Sequence, residues 1–158
     1  MGHSAGAQLA MRMAADPSWL ERAGGDSFAL CGVVAVSGAG YDLNDPQTIS
    51  LETAPAYHTR RFARDANDTT WRLDASSIHS LDSDDPPFLL LYAERDHPSL
   101  IRQSQLADQR LRRLGISAGL VRVPDTNHSR IVLKLSQPRG VASEAILKFL
   151  RETRCPRE

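Results

Sequence analysis

The first residues of the chain contain a serine set between two glycines. Residues 2–6 read G-H-S-A-G and stand directly before a run of good helix formers. A serine at a sharp strand-to-helix turn exposes its hydroxyl, and glycines two residues before and after it prevent collisions there. The pattern indicates that Ser4 is a nucleophile and that the backbone N–H of Ala5, at the helix N-terminus, stabilises an oxyanion. A glycine-flanked helix cap, with Ser4 as the N-cap residue, is the alternative interpretation.

A nucleophilic serine needs two further side chains. Its hydroxyl is unreactive near neutral pH without a general base, and the base needs an orienting acid. In sheets that carry the G-x-S-x-G turn, the order along the chain is Ser, acid, His, with acid and His on loops after late strands. Asp96 follows an apolar run that ends at Ala93, and His128 follows one that ends at Val123. The sequence therefore predicts a triad of Ser4, Asp96 and His128.

Other side chains compete for these two roles. Asp125 also follows a strand, but it lies three residues before His128 and is interpreted as shaping that loop. His97 adjoins Asp96 and would occupy the loop of the acid. The remaining histidines are interpreted as surface or loop-packing residues: His3 inside the serine pentapeptide, and His58 and His79 farther along.

The strands that must position these residues are visible as apolar runs. Residues 28–36 and 88–93 are continuously apolar, which is typical of strands covered on both faces of a parallel sheet. Residues 118–123 alternate between apolar and polar, which predicts a third, shorter strand near an edge. The strands alternate with helical segments, so the fold class is predicted to be α/β, with three layers and a mostly parallel sheet.

The helical segments and one long insertion complete this pattern. Residues 5–15 favour a helix that Asp16-Pro17 ends. Apolar residues recur at helical spacing over 100–114, before Gly115, and again over 142–149. Residues 41–85 are rich in polar and turn residues, and they predict an irregular, partly helical, cap-like insertion in a single domain spanning 1–158.

Composition excludes several classes of partner. The 19 Lys and Arg balance the 19 Asp and Glu, so no overall field attracts nucleic acid or an anionic membrane, and clustered arginines are interpreted as solvated helix faces. No apolar run is long enough to span a membrane. Cys31 and Cys155 form neither a metal pattern nor a disulfide framework, which predicts reduced thiols and a cytoplasmic location. The oligomeric state stays open.

Several segments resemble one known family, the α/β-hydrolase superfamily, and within it the carboxylesterases that include kynurenine formamidase-like enzymes. Residues 2–10 look like the nucleophile elbow and its helix, and residues 36–43, V-S-G-A-G-Y-D-L, are similar to a segment after the next strand. Residues 96–104, D-H-P-S-L-I-R-Q-S, resemble the formamidase segment that begins at the triad acid. Residues 125–128 resemble the loop that carries the base.

The resemblance implies an activity and a larger parent fold. It implies hydrolysis of a small-molecule carboxylic ester, or of the formamide of an aryl amine, through an acyl-enzyme, with no metal or organic cofactor. In the family, several strands and a loop donating the second oxyanion N–H precede the elbow. We therefore expect a truncated C-terminal portion that lacks the strand into Ser4, leaves an edge of strand 28–36 exposed, and is weakly active or inactive. A non-catalytic module of the same fold is the further alternative.

Overall fold

The computed structural model describes residues 1–26, 29–51, 63–65 and 67–155. In this part of the chain, four parallel strands form a sheet in chain order: β1 (Gly2–His3), β2 (Val33–Val36), β3 (Phe88–Arg95) and β4 (Ala118–Asn127). The helices are α1 (Ala5–Ala15), α2 (Ser18–Arg22), α3 (Pro46–Leu51), α4 (Trp71–Ala75), α5 (Pro98–Arg113), α6 (Ile131–Lys134) and α7 (Val141–Glu152). A 3₁₀ helix, Ser77–Ser80, precedes β3.

The two faces of the sheet bury separate apolar clusters. Successive strand residues point to opposite faces, so Ala35 and Leu90 join one cluster with Met11 of α1 and Leu111 of α5. Val36, Leu91 and Ala93 join the other cluster, which α6 and α7 cover. The predicted fold class is confirmed: the molecule has helix, sheet and helix layers around a parallel sheet. The central strands are apolar throughout because both of their faces are covered.

The strand boundaries differ from the predicted ones. β2 begins only at Val33, and residue 28 of the predicted strand lies outside the described residues. β4 continues through Pro124 to Asn127, so it is longer than predicted. A register shift after Ala93 aligns Arg95 with Asn127 and lets the pairing resume. Proline is accommodated because β4 is the last strand in the sheet order, with no described strand paired to its other side.

The start of the chain corrects a further expectation. We predicted that no strand leads into Ser4 and that strand 28–36 lacks its second neighbour. The structure instead forms the short strand β1, which pairs Gly2 with Ala35 and His3 with Val36. β2 therefore has a neighbour on each side, although β1 covers only its last two residues.

The helices agree with the sequence pattern. α1 ends before Asp16, and α5 ends two residues before Gly115, whose positive φ of 77° suits a helix C-terminus. The 41–85 insertion contains α3, α4 and the 3₁₀ helix, while its residues 52–62 and 66 lie outside the described part. Across the described residues, no helix is both long enough and apolar enough to cross a bilayer.

The two cysteines overturn the prediction of reduced thiols. Cys31 and Cys155 form a disulfide across a sequence separation of 124 residues. The bond joins the chain just before β2 to the chain just after α7, at the end of the sheet where the strands begin. Spacing alone could not reveal this pairing, because α7 must first pack on the sheet and return the C-terminus to β2. The packing is close: a side chain at Gly32 would contact the ring of Phe149 at 2.9 Å.

Candidate active site

Ser4 lies at the turn between β1 and α1 in a strained backbone conformation. Its φ is 55° and its ψ is −122°, a region that residues with a side chain rarely occupy. The Ser4 N–H donates to the carbonyl of Val36 at 2.9 Å, and the N–H of Ala39 donates to the Ser4 carbonyl at 3.4 Å. The end of β2 and the loop after it therefore stabilise the turn in its strained conformation.

The two glycines beside Ser4 have different roles. A Cβ on Gly2 would lie 2.0 Å from the carbonyl oxygen of Gly6, so this position excludes any side chain. A Cβ on Gly6 would meet no heavy atom within 4 Å. The prediction that both glycines prevent collisions therefore holds for Gly2 and is wrong for Gly6 in the described part of the chain.

Ser4, His128 and Asp96 lie within hydrogen-bond distance of one another. His128 Nδ1 is 3.0 Å from Asp96 Oδ1, and His128 Nε2 is 3.0 Å from Ser4 Oγ. A carboxylate can only accept, so Nδ1 carries the proton, and in the neutral ring Nε2 accepts from the Ser4 hydroxyl. The structure brings together the three residues that the sequence singled out, although 92 and 124 positions in the chain separate Asp96 and His128 from Ser4.

The Asp96 carboxylate is held inside the protein. Its side chain is fully buried, whereas that of His128 is 24% exposed. The N–H of His97 donates to Asp96 Oδ1 at 3.0 Å, and the N–H of Ala93 donates to Oδ2 at 3.4 Å. Since both oxygens accept from the backbone, the carboxylate keeps one orientation, and its Oδ1 stays directed at the imidazole.

The N-terminus of α1 offers a donor beside the Ser4 hydroxyl. Ala5 is the first residue of α1, so its N–H has no acceptor within the helix. No other described residue accepts from it. The helix dipole adds partial positive charge at this end, and together these features suit an anionic oxygen formed next to Ser4.

His3 makes a contact that sequence reasoning missed. Its Nε2 lies 2.9 Å from the carbonyl oxygen of His128, and the two imidazole rings have centroids 4.8 Å apart. A carbonyl can only accept, so His3 Nε2 is the donor. The residue before the serine thus binds the backbone of His128. The only sequence signal for this contact was the position of His3 inside the pentapeptide, and that position does not reveal His128 as its partner.

Arg102 and Gln103 bind the insertion to α5, the helix that follows Asp96. Arg102 donates two hydrogen bonds of 2.7 Å to the carboxylate of Asp45. The buried Gln103 amide accepts from the N–H of Asp42 at 2.7 Å and donates to its carbonyl and to Thr48 Oγ1 at 2.8 Å each. The R-Q-S motif therefore acts as a clamp between two segments, while Ser104 bonds within the helix.

The competing residues have other partners. His97 is exposed, and its ring centroid is 6.0 Å from that of His128. His79 Nε2 lies 3.3 Å from Asp42 Oδ1, and His58 lies outside the described residues. Asp125 has a φ of 52° and donates its N–H to Glu94, in agreement with a loop-shaping role. In the described ranges, no three His, Cys, Asp or Glu side chains are grouped to hold a metal ion.

Comparisons with known proteins agree on the fold. No protein-family model matches the chain, and no curated protein sequence matches it either. Among solved structures, the Pyrobaculum calidifontis esterase is similar with a TM-score of 0.66 and 20% identity, covering 97% of this chain and 52% of its own. Carboxyl esterase 2 of Tuber melanosporum is similar with a TM-score of 0.63 and 23% identity, covering 97% of this chain and 53% of its own.

A third solved structure belongs to a different class of hydrolase. The acylaminoacyl peptidase of Pyrococcus horikoshii has a TM-score of 0.70 and 13% identity, covering 99% of this chain and 24% of its own. The present chain therefore spans about half the length of the esterases it matches, and less of the peptidase. Identities this low show the fold alone. From its parallel sheet, its strained serine turn and these neighbours, the chain has part of the α/β-hydrolase fold that esterases share.

Proposed function

We propose that the chain is a serine hydrolase that cleaves carboxylic esters through an acyl-enzyme. One observation carries this proposal: the continuous line from the buried Asp96 carboxylate through His128 to the hydroxyl of Ser4, with both hydrogen-bond distances at 3.0 Å. The esterases among the structural neighbours support the same reaction class. A serine that only capped α1 would need no base, and the Ser4 side chain makes no capping hydrogen bond.

The geometry supports a two-step mechanism. Ser4 Oγ attacks the ester carbonyl carbon while His128 Nε2 accepts the hydroxyl proton, and the Ala5 N–H donates to the resulting oxyanion. The oxyanion then collapses, the bond to the alcohol oxygen breaks, and His128 returns the proton to that oxygen. Water attacks the acyl-enzyme by the same route and releases the carboxylic acid. Asp96 fixes the imidazole tautomer and stabilises the imidazolium form.

A fluorophosphonate probe tests this proposal directly. Such probes phosphonylate only an activated serine and release fluoride, so the 158-residue chain should be labelled at Ser4 and the Ser4→Ala variant should not. His128→Ala should also abolish labelling, because the hydroxyl then has no base. p-Nitrophenyl acetate hydrolysis with the same variants measures turnover. Absence of labelling in a folded chain would contradict the proposal and favour the inactive-fragment or non-catalytic hypotheses.

The formamide of an aryl amine is the second candidate substrate. The similarity of residues 96–104 to the formamidase segment supports it. Arg102 and Gln103 of that segment contact residues of the 41–85 insertion: Asp45, Asp42 and Thr48. These contacts hold the insertion against α5 and do not explain which substrate is chosen. Rates measured with formanilide and phenyl acetate separate the two candidates. A larger kcat/KM for formanilide would make the formamidase assignment the better one.

The cytoplasmic location stays a prediction, and the disulfide argues against the observation on which it was based. It rested on two reduced thiols, whereas Cys31 and Cys155 are bonded to each other. Disulfides of this kind persist mainly in oxidising compartments. Peptide mass spectrometry of non-reduced protein from its native cells would show whether the Cys31–Cys155 cross-link is present there.

A further inference from the structure

A cavity of about 560 Å³ lies beside the N-terminal half of α1. α1 contributes Ala5, Gln8, Leu9 and Arg12, which recur at the spacing of one helix face. The opposite wall comes from α2, from α4 and from described residues just before α4. The volume lies within the range of small-molecule sites, which is roughly 300–1,000 Å³.

The cavity reaches the residue next to the proposed nucleophile. Ala5, which follows Ser4 in the chain and carries the proposed oxyanion donor, lines the cavity, and Arg12 lines it two helical turns farther on. Seven residues of α helix span about 10 Å. A substituent of a substrate bound at Ser4 therefore has a site about the length of a phenyl group and its linker.

Both tryptophans of the chain line this cavity. Trp71 is nearly buried, while Trp19 is 51% exposed and Leu9 is 63% exposed. A ligand that covers the exposed apolar surface of Trp19 and Leu9 is stabilised by about 25 cal/mol per Å² removed from water. Indole faces also favour offset or edge-to-face contact with another aromatic ring.

The charges of the described residues that line the cavity balance. Arg12 and Arg64 face the same space as Asp68 and Asp74. The Thr70 hydroxyl and nearby backbone N–H groups bond to Asp68 and lower the pKa of its carboxyl, which keeps it anionic. Arg12 already donates to the carbonyl of Asp74 at 3.0 Å. Two positive and two negative groups give no net attraction for an ionic ligand, so the lining favours a neutral one.

We propose that this cavity binds a neutral aryl group, and that the chain therefore prefers esters carrying an aryl substituent. The preference among esters rests on the function proposed above, whereas binding of the aryl group does not require a reactive Ser4. The two parts can therefore be measured separately.

Tryptophan fluorescence reports binding, because the only two indoles of the chain line the cavity. The probe is 4-phenyl-2-butanone, a neutral ketone that cannot be hydrolysed; 4-cyclohexyl-2-butanone and 3-phenylpropionate are the non-aromatic and anionic controls. We expect a saturable change with the phenyl ketone and a weaker response to both controls. A response that does not saturate, or tighter binding of the anion, would overturn the proposal.

A matched pair of variants locates the site. Leu9→Gln places a polar amide in the cavity wall and should weaken binding of the phenyl ketone about fivefold. Leu133→Gln makes the same change on α6 at a side chain that is 74% exposed and does not line the cavity, so it should change nothing. Equal affinity in both variants would place the aryl group elsewhere.

Hydrolysis completes the test. Leu9→Gln should lower kcat/KM for phenyl acetate by the same factor and lower that for ethyl acetate less, whereas Leu133→Gln should leave both values and the labelling of Ser4 unchanged. Saturable binding without labelling of the parent chain would uphold the cavity and contradict the proposed reaction. Turnover of both esters with a flat fluorescence titration would uphold the reaction and contradict the cavity.

Discussion

The two ends of the sheet differ in how they are held together. Where the strands end, Ser4 and Ser37 have positive φ angles directly after β1 and β2, and Asp125 has one near the end of β4. Among the described residues, only Arg139 shares this conformation without being glycine. Where the strands begin, the Cys31–Cys155 disulfide joins β2 to the chain after α7. Strain is concentrated at the end that carries the candidate site, and a covalent bond stabilises the other.

In the described part of the chain, buried polar atoms without a partner occur near both ends of the sheet, since Arg110 Nε in the last turn of α5 is one of them. The hydroxyls of Ser37 and Thr126, both at the end with the triad, are buried and have no hydrogen-bond partner among the described residues. Such groups cost free energy and are uncommon in protein interiors. The comparison implies that substitutions where the strands end alter activity more than stability. Substitutions where the strands begin should alter stability more than activity. Three predictions test this division and a fourth tests the Asp45–Arg102 clamp; they are given in order of decreasing effect.

The first prediction concerns the serine turn. Gly2→Ala should lower kcat for p-nitrophenyl acetate by at least about 100-fold, because the new methyl group collides with the Gly6 carbonyl and displaces Ser4. The control is Gly6→Ala, where a Cβ meets no heavy atom within 4 Å, and activity should stay within about threefold. Equal losses in the two variants would contradict the account of the turn.

The second prediction concerns the disulfide. Replacing both cysteines by serine should lower the free energy of unfolding by about 2–4 kcal/mol, because the unfolded chain regains the freedom that the cross-link removed. Urea unfolding with and without reductant measures this. Reductant should destabilise the parent chain and leave the double variant unchanged. Loss of Ser4 labelling in the folded double variant would show that the two ends of the sheet are not separable.

The third prediction concerns His3. His3→Ala should lower kcat about tenfold with little change in KM, because the carbonyl of His128 loses its donor and the base is less well placed. His3→Gln should restore most of the activity, since its amide nitrogen is separated from Cβ by as many bonds as the imidazole Nε2. If Gln and Ala behave alike, the role of His3 is not the hydrogen bond.

The fourth prediction concerns the clamp between Asp45 and Arg102. Hydrogen bonds from the Arg102 guanidinium hold the pKa of Asp45 well below its usual range, against the opposing effect of burial. A depressed carboxyl pKa contributes stability above the unfolded pKa and loses it as the pH falls, so the contribution should fade below about pH 5. Asp45→Asn should lower stability by about 1 kcal/mol at pH 7 and flatten this acid dependence.

An exposed ion pair provides the control for the clamp. Asp108 pairs with Arg112 one turn apart on α5, where the arginine side chain is 59% exposed. Asp108→Asn should cost well under 1 kcal/mol, because solvent screens such pairs. The two variants are compared by urea unfolding between pH 3 and 7. Equal pH dependence in both would show that the clamp adds nothing beyond an ordinary surface pair.

Much of the fold was accessible from local patterns. Apolar runs marked β2 and β3 because both faces of those strands are covered, and helical spacing marked α5 and α7. The positions of Ser4, Asp96 and His128 followed from the pentapeptide and from the loops after strands, since carboxyl ends of parallel strands meet at one edge of the sheet. The end of β4 was missed because pairing resumes after a register shift, which depends on its partner strand.

Several features depend on contacts between distant parts of the chain. The bond from His3 to the His128 carbonyl, the clamp from Arg102 to Asp45 and the disulfide join residues separated by 125, 57 and 124 positions. Local spacing carries no information on such pairs, because packing of the helices on the sheet brings them together. By itself the sequence determined the order of helices and strands and the three candidate catalytic residues. Tertiary structure decided their distances, the roles of His3 and Gly6, and the bonding of the cysteines, since each depends on where two separate segments meet.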